Sequence, residues 1–314
     1  MAAVILTVTP NVALDITYHV DRLVPGSSHR VRGVAERAGG KGVNVARVLH
    51  ALGRGSTIFG FVGSAEAATI TTDLARAGIA HELIPIDGPT RRTIAVVDSV
   101  DGVATLFSEA GPRVPAAKWA DLEAMLAARL PDAEAVVISG SLPPGVEDDA
   151  YARLVRLAAS HRVTVLVDAV GEALLQAAAA GADIVKPNSS ELLDTTGILD
   201  VTGAAEDLRR RGAKAVVVSQ GEAGMTAFTP DGSWRAAPPT RVVGNPTGAG
   251  DAAAAALIAG AVAGTPWPDR LRDAVALSAA AVSQPTGGSV DVGTYRSFAR
   301  QILLEESHAP GHDR

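Results

Sequence analysis

Asn245-Pro246-Thr247-Gly248-Ala249-Gly250-Asp251 runs directly into Ala252–Leu257, an alanine-rich apolar run that reads as a helix. Small residues let the backbone turn tightly into that helix. Its first amides have no acceptor within the helix and sit at its positive end. Such a turn can hold an anion, above all a phosphate. A carboxylate at Asp251 would repel the phosphate unless it has a task, and the obvious one is to take a proton from an incoming hydroxyl. An anion cradle beside a base suggests phosphoryl transfer. On its own the stretch is equally a helix start with an acidic first turn.

Outward from this turn the chain alternates. Val4–Val8, Thr57–Val62, Ala135–Ile138, Val163–Val167, Ile184–Val185 and Ala215–Val218 read as buried parallel strands. Helical patterns lie between and after them: Val43–Leu52, Thr69–Ala77, Trp119–Arg129, Tyr151–Ala159, Glu172–Ala180, Ala204–Arg211, Asp251–Ala263 and Asp269–Ala281. The alternation implies an α/β fold, a doubly wound sheet with helices on both faces. Two stretches, Asp15–Arg32 and Arg91–Phe107, carry the period of exposed strands instead, with a hairpin turn at Asp98–Gly102. They are expected to form a small β-lid, at about 15–35 and 88–108, on a single domain spanning 1–314.

Composition narrows the function. With 314 residues, 47% of them hydrophobic, the chain can bury one large core. Aromatics are 4%, so that core is built of Val, Leu, Ile and Ala. A formal charge of −6 without a basic block argues against nucleic acid. Cysteine is absent, which excludes disulfides and thiolate metal sites. Met1–Pro10 lacks a basic start and reads as a first strand rather than a signal peptide. No run resembles a membrane span, so a cytoplasmic location is expected.

Other clusters carry chemistry. Ala38-Gly39-Gly40-Lys41-Gly42-Val43-Asn44 puts glycines, amides and polar side chains at a second helix start, without the Walker spacing. Asp15 follows the first strand, where α/β sheets bind ligands, and suits two sugar hydroxyls. Arg91, Arg92, Arg30 and Arg32 offer forks for phosphate oxygens, or plain surface charge. In Lys186-Pro187-Asn188-Ser189-Ser190-Glu191, Asn188 and Glu191 share one face of a turn. They can hold the water shell of Mg²⁺, or equally form a capping box. Ser219-Gln220-Gly221-Glu222-Ala223-Gly224 follows a strand and suits a nucleotide's phosphate or ribose. The histidines show no metal-ligand spacing.

Together these residues resemble the PfkB (ribokinase-like) carbohydrate kinases over nearly the whole chain. Most specific are GGKGVNVARVLHALG (Gly39–Gly53), SGSLPPGV (Ser139–Val146), KPNSSEL (Lys186–Leu192) and PTGAGDA (Pro246–Ala252). The opening TVTPNVALD and the SGSLPPG block look like the branch that phosphorylates phosphosugars: 1-phosphofructokinase, the minor-type 6-phosphofructokinase and tagatose-6-phosphate kinase. The resemblance implies a ribokinase-like fold and Asp251 as catalytic base, with Gly248, Ala249 and Gly250 as the anion hole. It implies sugar contacts from Asp15, Gly39, Gly40, Lys41 and Asn44, and a grip on the substrate phosphate by Arg91 near Ser139. Lys186, Asn188 and Glu191 match the nucleotide and magnesium segment, with the metal held through water. Ser219, Gln220, Gly221, Glu222 and Gly224 match the ATP loop, which Gly250 also serves. ATP, Mg²⁺, a monovalent cation such as K⁺ and a homodimer paired through the lids are implied as well.

Three departures stand out. Asn245-Pro246-Thr247 stands where the family often has Ser or Thr followed by Val or Thr before GAGD, Ala252 carries no hydroxyl, and Arg30 stands where some members have lysine. The activity expected is phosphorylation of fructose 1-phosphate or fructose 6-phosphate to the 1,6-bisphosphate. The alternatives are tagatose-6-phosphate kinase, a kinase for an unphosphorylated sugar or nucleoside, and a non-catalytic sugar-phosphate sensor. A dehydrogenase is disfavoured because the first strand leads into no G-x-G-x-x-G.

Overall fold

The computed structural model describes residues 4–284 and 286–307. The strands are β1 (Val4–Asn11), β2 (Ala13–Val20), β3 (Gly33–Gly39), β4 (Ser56–Gly63), β5 (Ala80–Ile86), β6 (Arg91–Asp98), β7 (Ala104–Ser108) and β8 (Ala133–Ser139). They continue with β9 (Thr164–Asp168), β10 (Ile184–Val185), β11 (Ala215–Ser219), β12 (Met225–Thr229), β13 (Gly232–Ala237) and β14 (Leu303–Ser307).

Ten strands form one sheet in the order β14-β13-β12-β11-β10-β9-β8-β1-β4-β5. From β5 to β11 every neighbouring pair is parallel, and β12, β13 and β14 extend the β11 edge antiparallel. The parallel strands read as continuous apolar runs because both of their faces are covered. On β8, Val136 and Ile138 enter one core and Ala135 and Val137 the other. On β11, Val216 and Val218 part from Val217 in the same way. Helices 116–129, 150–160 and 171–179 cover the first face; helices 41–51, 249–262 and 267–282 cover the second. Removing one such side chain, as in Ile138→Ala, costs about 2–5 kcal/mol.

Every strand and helix expected from the pattern is present. Pattern reading passed over β5, β12, β13, β14 and the helices 189–196 and 292–299. The second sheet has the order β3-β2-β6-β7. The expected hairpin is β6 and β7, paired antiparallel from Thr93↔Ser108 to Val97↔Ala104. Asp15–Arg32 proves to be one strand followed by a loop, because Pro25-Gly26-Ser27-Ser28 interrupts the period. The returning strand β3 lies further along and ends at Gly39, so the glycine cluster is the last turn of the lid. Leu14, Ile16 and Ala38 pack that end of the lid against Val43, Ala46, Ile70 and Leu74.

Candidate active site

The C-terminal ends of the parallel strands and the starts of two helices converge on one place. The helix Ala249–Val262 begins there with Gly248 as its N-cap, at φ 84°. A Cβ on Gly248 would lie 2.6 Å from the amide nitrogen of Gly288, so only glycine fits this turn. Asp251 lies in the first turn of the helix and is 6% exposed. The amide of Asn44, on the helix Lys41–Ala51, donates to Asp251 Oδ2 at 2.8 Å. Burial, and then the charge of Asp168, raise the Asp251 pKa to about 6. The carboxyl therefore ionises near neutrality, in the range where a base can both exist and accept a proton.

Asp168, the last residue of β9, was not singled out from the sequence. It is 1% exposed and binds two ammonium groups: Lys41 Nζ at 2.9 Å and Lys186 Nζ at 3.0 Å. Burial alone would raise its pKa, but Lys186 and Lys41 outweigh burial and hold the carboxyl below its ordinary range. Asp168 in turn pushes the Lys41 pKa above the usual lysine range, against the opposing effect of burial. One carboxylate thus joins the lysine of the glycine cluster to the lysine of the KPN segment. The readable signal was an acid at the C-terminal end of a parallel strand.

Ser139 ends β8 in register with Asp168. It is fully buried, and its Oγ has no hydrogen-bond partner among the described residues. Asn44 Oδ1 is likewise buried without a partner. Buried polar atoms are nearly always satisfied, so both mark places for a ligand or water.

Asp15, Thr93, Arg91 and Arg37 gather on the inner side of the lid base. Register places Asp15 between Thr93 on β6 and Arg37 on β3. A Cβ on Gly39 would fall 2.0 Å from Asp15 Cγ, so glycine makes room for that carboxylate. Burial raises the Asp15 pKa, with Arg37 and Arg91 opposing it. Arg91 donates through Nε to the Asn11 carbonyl at 2.9 Å and lies beside Asp15. Arg37, another residue passed over, donates to Thr286 Oγ1 at 2.8 Å and to the Gly287 carbonyl. It ties the lid to the segment behind Gly248. Arg30 does not join this cluster. It is exposed in the loop 21–32, beyond the His19↔Gly33 end of the hairpin, about 17 Å of strand from Asp15.

Asn188 caps the helix Ser189–Thr196 in a full capping box: Asn188 Oδ1 accepts from the Glu191 amide at 2.8 Å, and Glu191 Oε2 accepts from the Asn188 amide at 2.9 Å. Glu191 Oε1 lies 3.8 Å from Lys41 Nζ. Among the described residues no group of three or more His, Asp or Glu is arranged to hold a metal directly. A divalent ion fits here only through water and ligand oxygens, with Glu191 Oε1, which the capping box leaves unused, as the acceptor. Ser219 ends β11 and bridges to Asn188; Gly221–Ala223 form a single 3₁₀ turn, and Gln220 Oε1 accepts from Thr226 at 3.0 Å. Glu222 pairs with Arg241 at 2.9 Å at the surface. Gly221, Glu222 and Gly224 wall a cavity of about 610 Å³ that reaches Ala249 in the Asp251 turn. Lys186 Nζ stands 3.3 Å from where a Cβ of Gly250 would be.

The pfkB family of carbohydrate kinases matches residues 8–291. The chain belongs to this family. The 1-phosphofructokinase of Rhodobacter capsulatus is 36% identical over 289 residues, covering 89% of this chain and 90% of the relative. That of Escherichia coli K12 is 32% identical over 310 residues, 97% of this chain and 99% of the relative. The crystal structure of E. coli phosphofructokinase-2 in complex with potassium superposes with a TM-score of 0.88 at 27% identity, over 95% of this chain and 98% of that one. The same enzyme in complex with fructose-6-phosphate gives 0.85. The ribokinase-like fold expected from the motifs is thus the fold found. No described helix is long and apolar enough to cross a membrane.

Proposed function

We propose that this pfkB kinase transfers the γ-phosphoryl group of ATP to fructose 1-phosphate, giving fructose 1,6-bisphosphate, with Asp251 as the base. The observation that carries the reading is the Asp251 carboxyl, buried at the mouth of a glycine turn and held by Asn44. The substrate hydroxyl gives its proton to Asp251 as its oxygen bonds to phosphorus and the bond to ADP breaks. Amides of Gly248 and Gly250 face the charge on the transferring group, beside that of Ala249, which donates to the Pro246 carbonyl at 3.2 Å. A preorganised donor of this kind is worth about 3 kcal/mol. Asp15, Gly39, Gly40, Lys41 and Asn44 hold the sugar; Arg91 takes its phosphate, with Ser139 Oγ as a further donor. Arg30, at the far end of the lid, can serve the phosphate only from another copy of the chain.

Lys186, Asn188, Ser219, Gln220, Gly221, Glu222, Gly224 and Gly250 line the path of the nucleotide. Glu191 and Asn188 would hold the water shell of Mg²⁺, which neutralises phosphate charge when bound. A monovalent cation is proposed from the likeness to the potassium-bound relative. The chain works as one kinase domain with its lid at about 15–35 and 88–108. It belongs in the cytoplasm without nucleic-acid or membrane partners. Exposed Val34, Leu106 and Phe107 on the lid suit a homodimer.

Coupled ADP release against fructose 1-phosphate, fructose 6-phosphate, tagatose 6-phosphate, fructose and ribose tests the reading. Turnover of fructose 1-phosphate well above the rest is expected. Preference for fructose 6-phosphate would move the reaction to the other end of the sugar. Turnover of free sugars alone would refute the role of Arg91.

A further inference from the structure

Strand β6 starts at Arg91, beside Asp15, and ends seven residues later at Asp98, about 23 Å away. There the chain turns into β7, and the turn is firmly held. The Asp98 carboxylate accepts from the amides of Leu23 at 2.9 Å, Val100 at 2.8 Å and Asp101 at 3.1 Å. The Asp98 amide donates to the Val103 carbonyl at 3.0 Å, and the Gly102 amide to the Asp98 carbonyl at 2.9 Å. Residues Asp101 to Ala104 of this turn line the same 610 Å³ cavity as the Gly221–Gly224 loop. The lid therefore extends past the Asp15 cluster and onto the nucleotide side.

The chemistry of the walls points to the occupant. At one end the cavity reaches Pro246 and Ala249 of the anion turn. Val103 from the lid and Val243 from the main domain both line it, 60% and 82% exposed. Large aliphatic side chains that share a cavity and stay open to water mark a ligand surface. The occupant carries phosphate at one end and a flat apolar group at the other, and the volume suits a small-molecule site. A nucleoside triphosphate has that shape.

We propose that the β6–β7 turn, with Val103 where it closes on Asp98, is part of the nucleotide site and packs on the base of the phosphate donor. The assignment rests on the ATP-kinase reading. It makes β6 a stiff arm with a substrate at each end: the sugar phosphate at Arg91 and the base at Val103. Filling the nucleotide cavity then favours the lid position that also closes over the sugar. Coupling of this kind is reciprocal.

The test is calorimetric titration of the full chain with adenosine 5′-(β,γ-imido)triphosphate, without sugar, in wild type, Val103→Asp and Val100→Asp. Both valines are exposed on the same turn, but Val100 does not line the cavity. A carboxylate against the base should weaken binding by Val103→Asp about tenfold or more. Val100→Asp should bind as wild type does, and both variants should keep the wild-type melting temperature. In turnover, Val103→Asp should raise KM for ATP and, at low ATP, KM for the sugar phosphate. Unchanged affinity in Val103→Asp overturns the assignment while leaving the kinase reading intact. Equal weakening in both variants reduces the effect to charge repulsion and also overturns it. Failure of the wild type to bind the analogue would bring down the kinase reading and this inference together.

Discussion

The Asp251 turn and the lid are both reached from glycine-rich stretches, yet they are built by opposite means. The turn stands on a buried helix and a buried charge cluster: Asp251 at 6% exposure, Asp168 at 1% and Lys186 at 3%. The lid is four strands whose base is packed but whose outer part leaves Val34, Val103, Leu106 and Phe107 open to water. The difference separates two tasks. Phosphoryl transfer needs donors and a base fixed in place before the substrate arrives, which a rigid sheet end supplies. The sugar recognition proposed for the lid calls for a surface that can open, and a thin second sheet suits that.

That contrast can be broken at several points. The largest effect is expected from Asp251→Asn, which should lower kcat about a thousandfold while the affinity for an ATP analogue stays within a few fold. Near wild-type kcat would remove the base from the rigid side. The same variant should be more stable than wild type above pH 6. The raised carboxyl pKa means the folded chain holds this proton more tightly than the unfolded one. Its contribution to stability is thus present at low pH and lost as pH rises through about 6. Melting curves at pH 5 and pH 8 should show the advantage mainly at pH 8, at up to about 3 kcal/mol. Asp168→Asn leaves two ammonium groups without their shared counter-ion and should cost about 3 kcal/mol in denaturant unfolding. A neutral result would mean that the lysines find other partners.

Smaller effects belong to the lid. Arg91→Ala should raise KM for the sugar phosphate about tenfold with KM for ATP little changed, about the value of a charge-assisted contact. An unchanged sugar KM would take the phosphate away from the lid base. The mildest test uses pH alone. Because Asp251 must be ionised to accept a proton, kcat/KM should fall on the acid side of about pH 6 and level off above it. A profile flat down to pH 5 would mean that the acceptor is a group of ordinary carboxylate pKa.

Much of the rigid side was legible in the sequence, because it is made of contiguous blocks. Gly248 to Asp251 form a turn and helix start just as their residue types require, and Lys186 to Glu191 follow a strand in both readings. Asp168 and Arg37 escaped because their meaning comes from topology. Asp168 meets Lys41 only because β9 lies beside β8, and Arg37 meets Gly287 across 250 residues. One motif carried two readings that do not exclude each other. Asn188 and Glu191 could hold the water shell of Mg²⁺ or form a capping box; the box is formed, and Glu191 Oε1, outside it, lies 3.8 Å from Lys41 Nζ. Strand β5, AHELIPI, was passed over because Pro85 reads as a break, which an edge strand tolerates. Strands β12 and β13 are short and hairpin-joined, without the long apolar run that marks a parallel strand.

The helix behind the anion turn has a consequence for heat. Ala252 to Ile258 are all buried, packed between the sheet and the helices 41–51 and 267–282. Buried on every side, the stretch from Ala252 to Ile258 has no solvent face on which to fray, so its amides should exchange with deuterium only when the whole molecule unfolds. Warming should then leave the transfer machinery in register until the melting transition itself. The lid, whose outer strands are open to water, should loosen first, and the early symptom of heat should be weakened sugar binding rather than a slower chemical step.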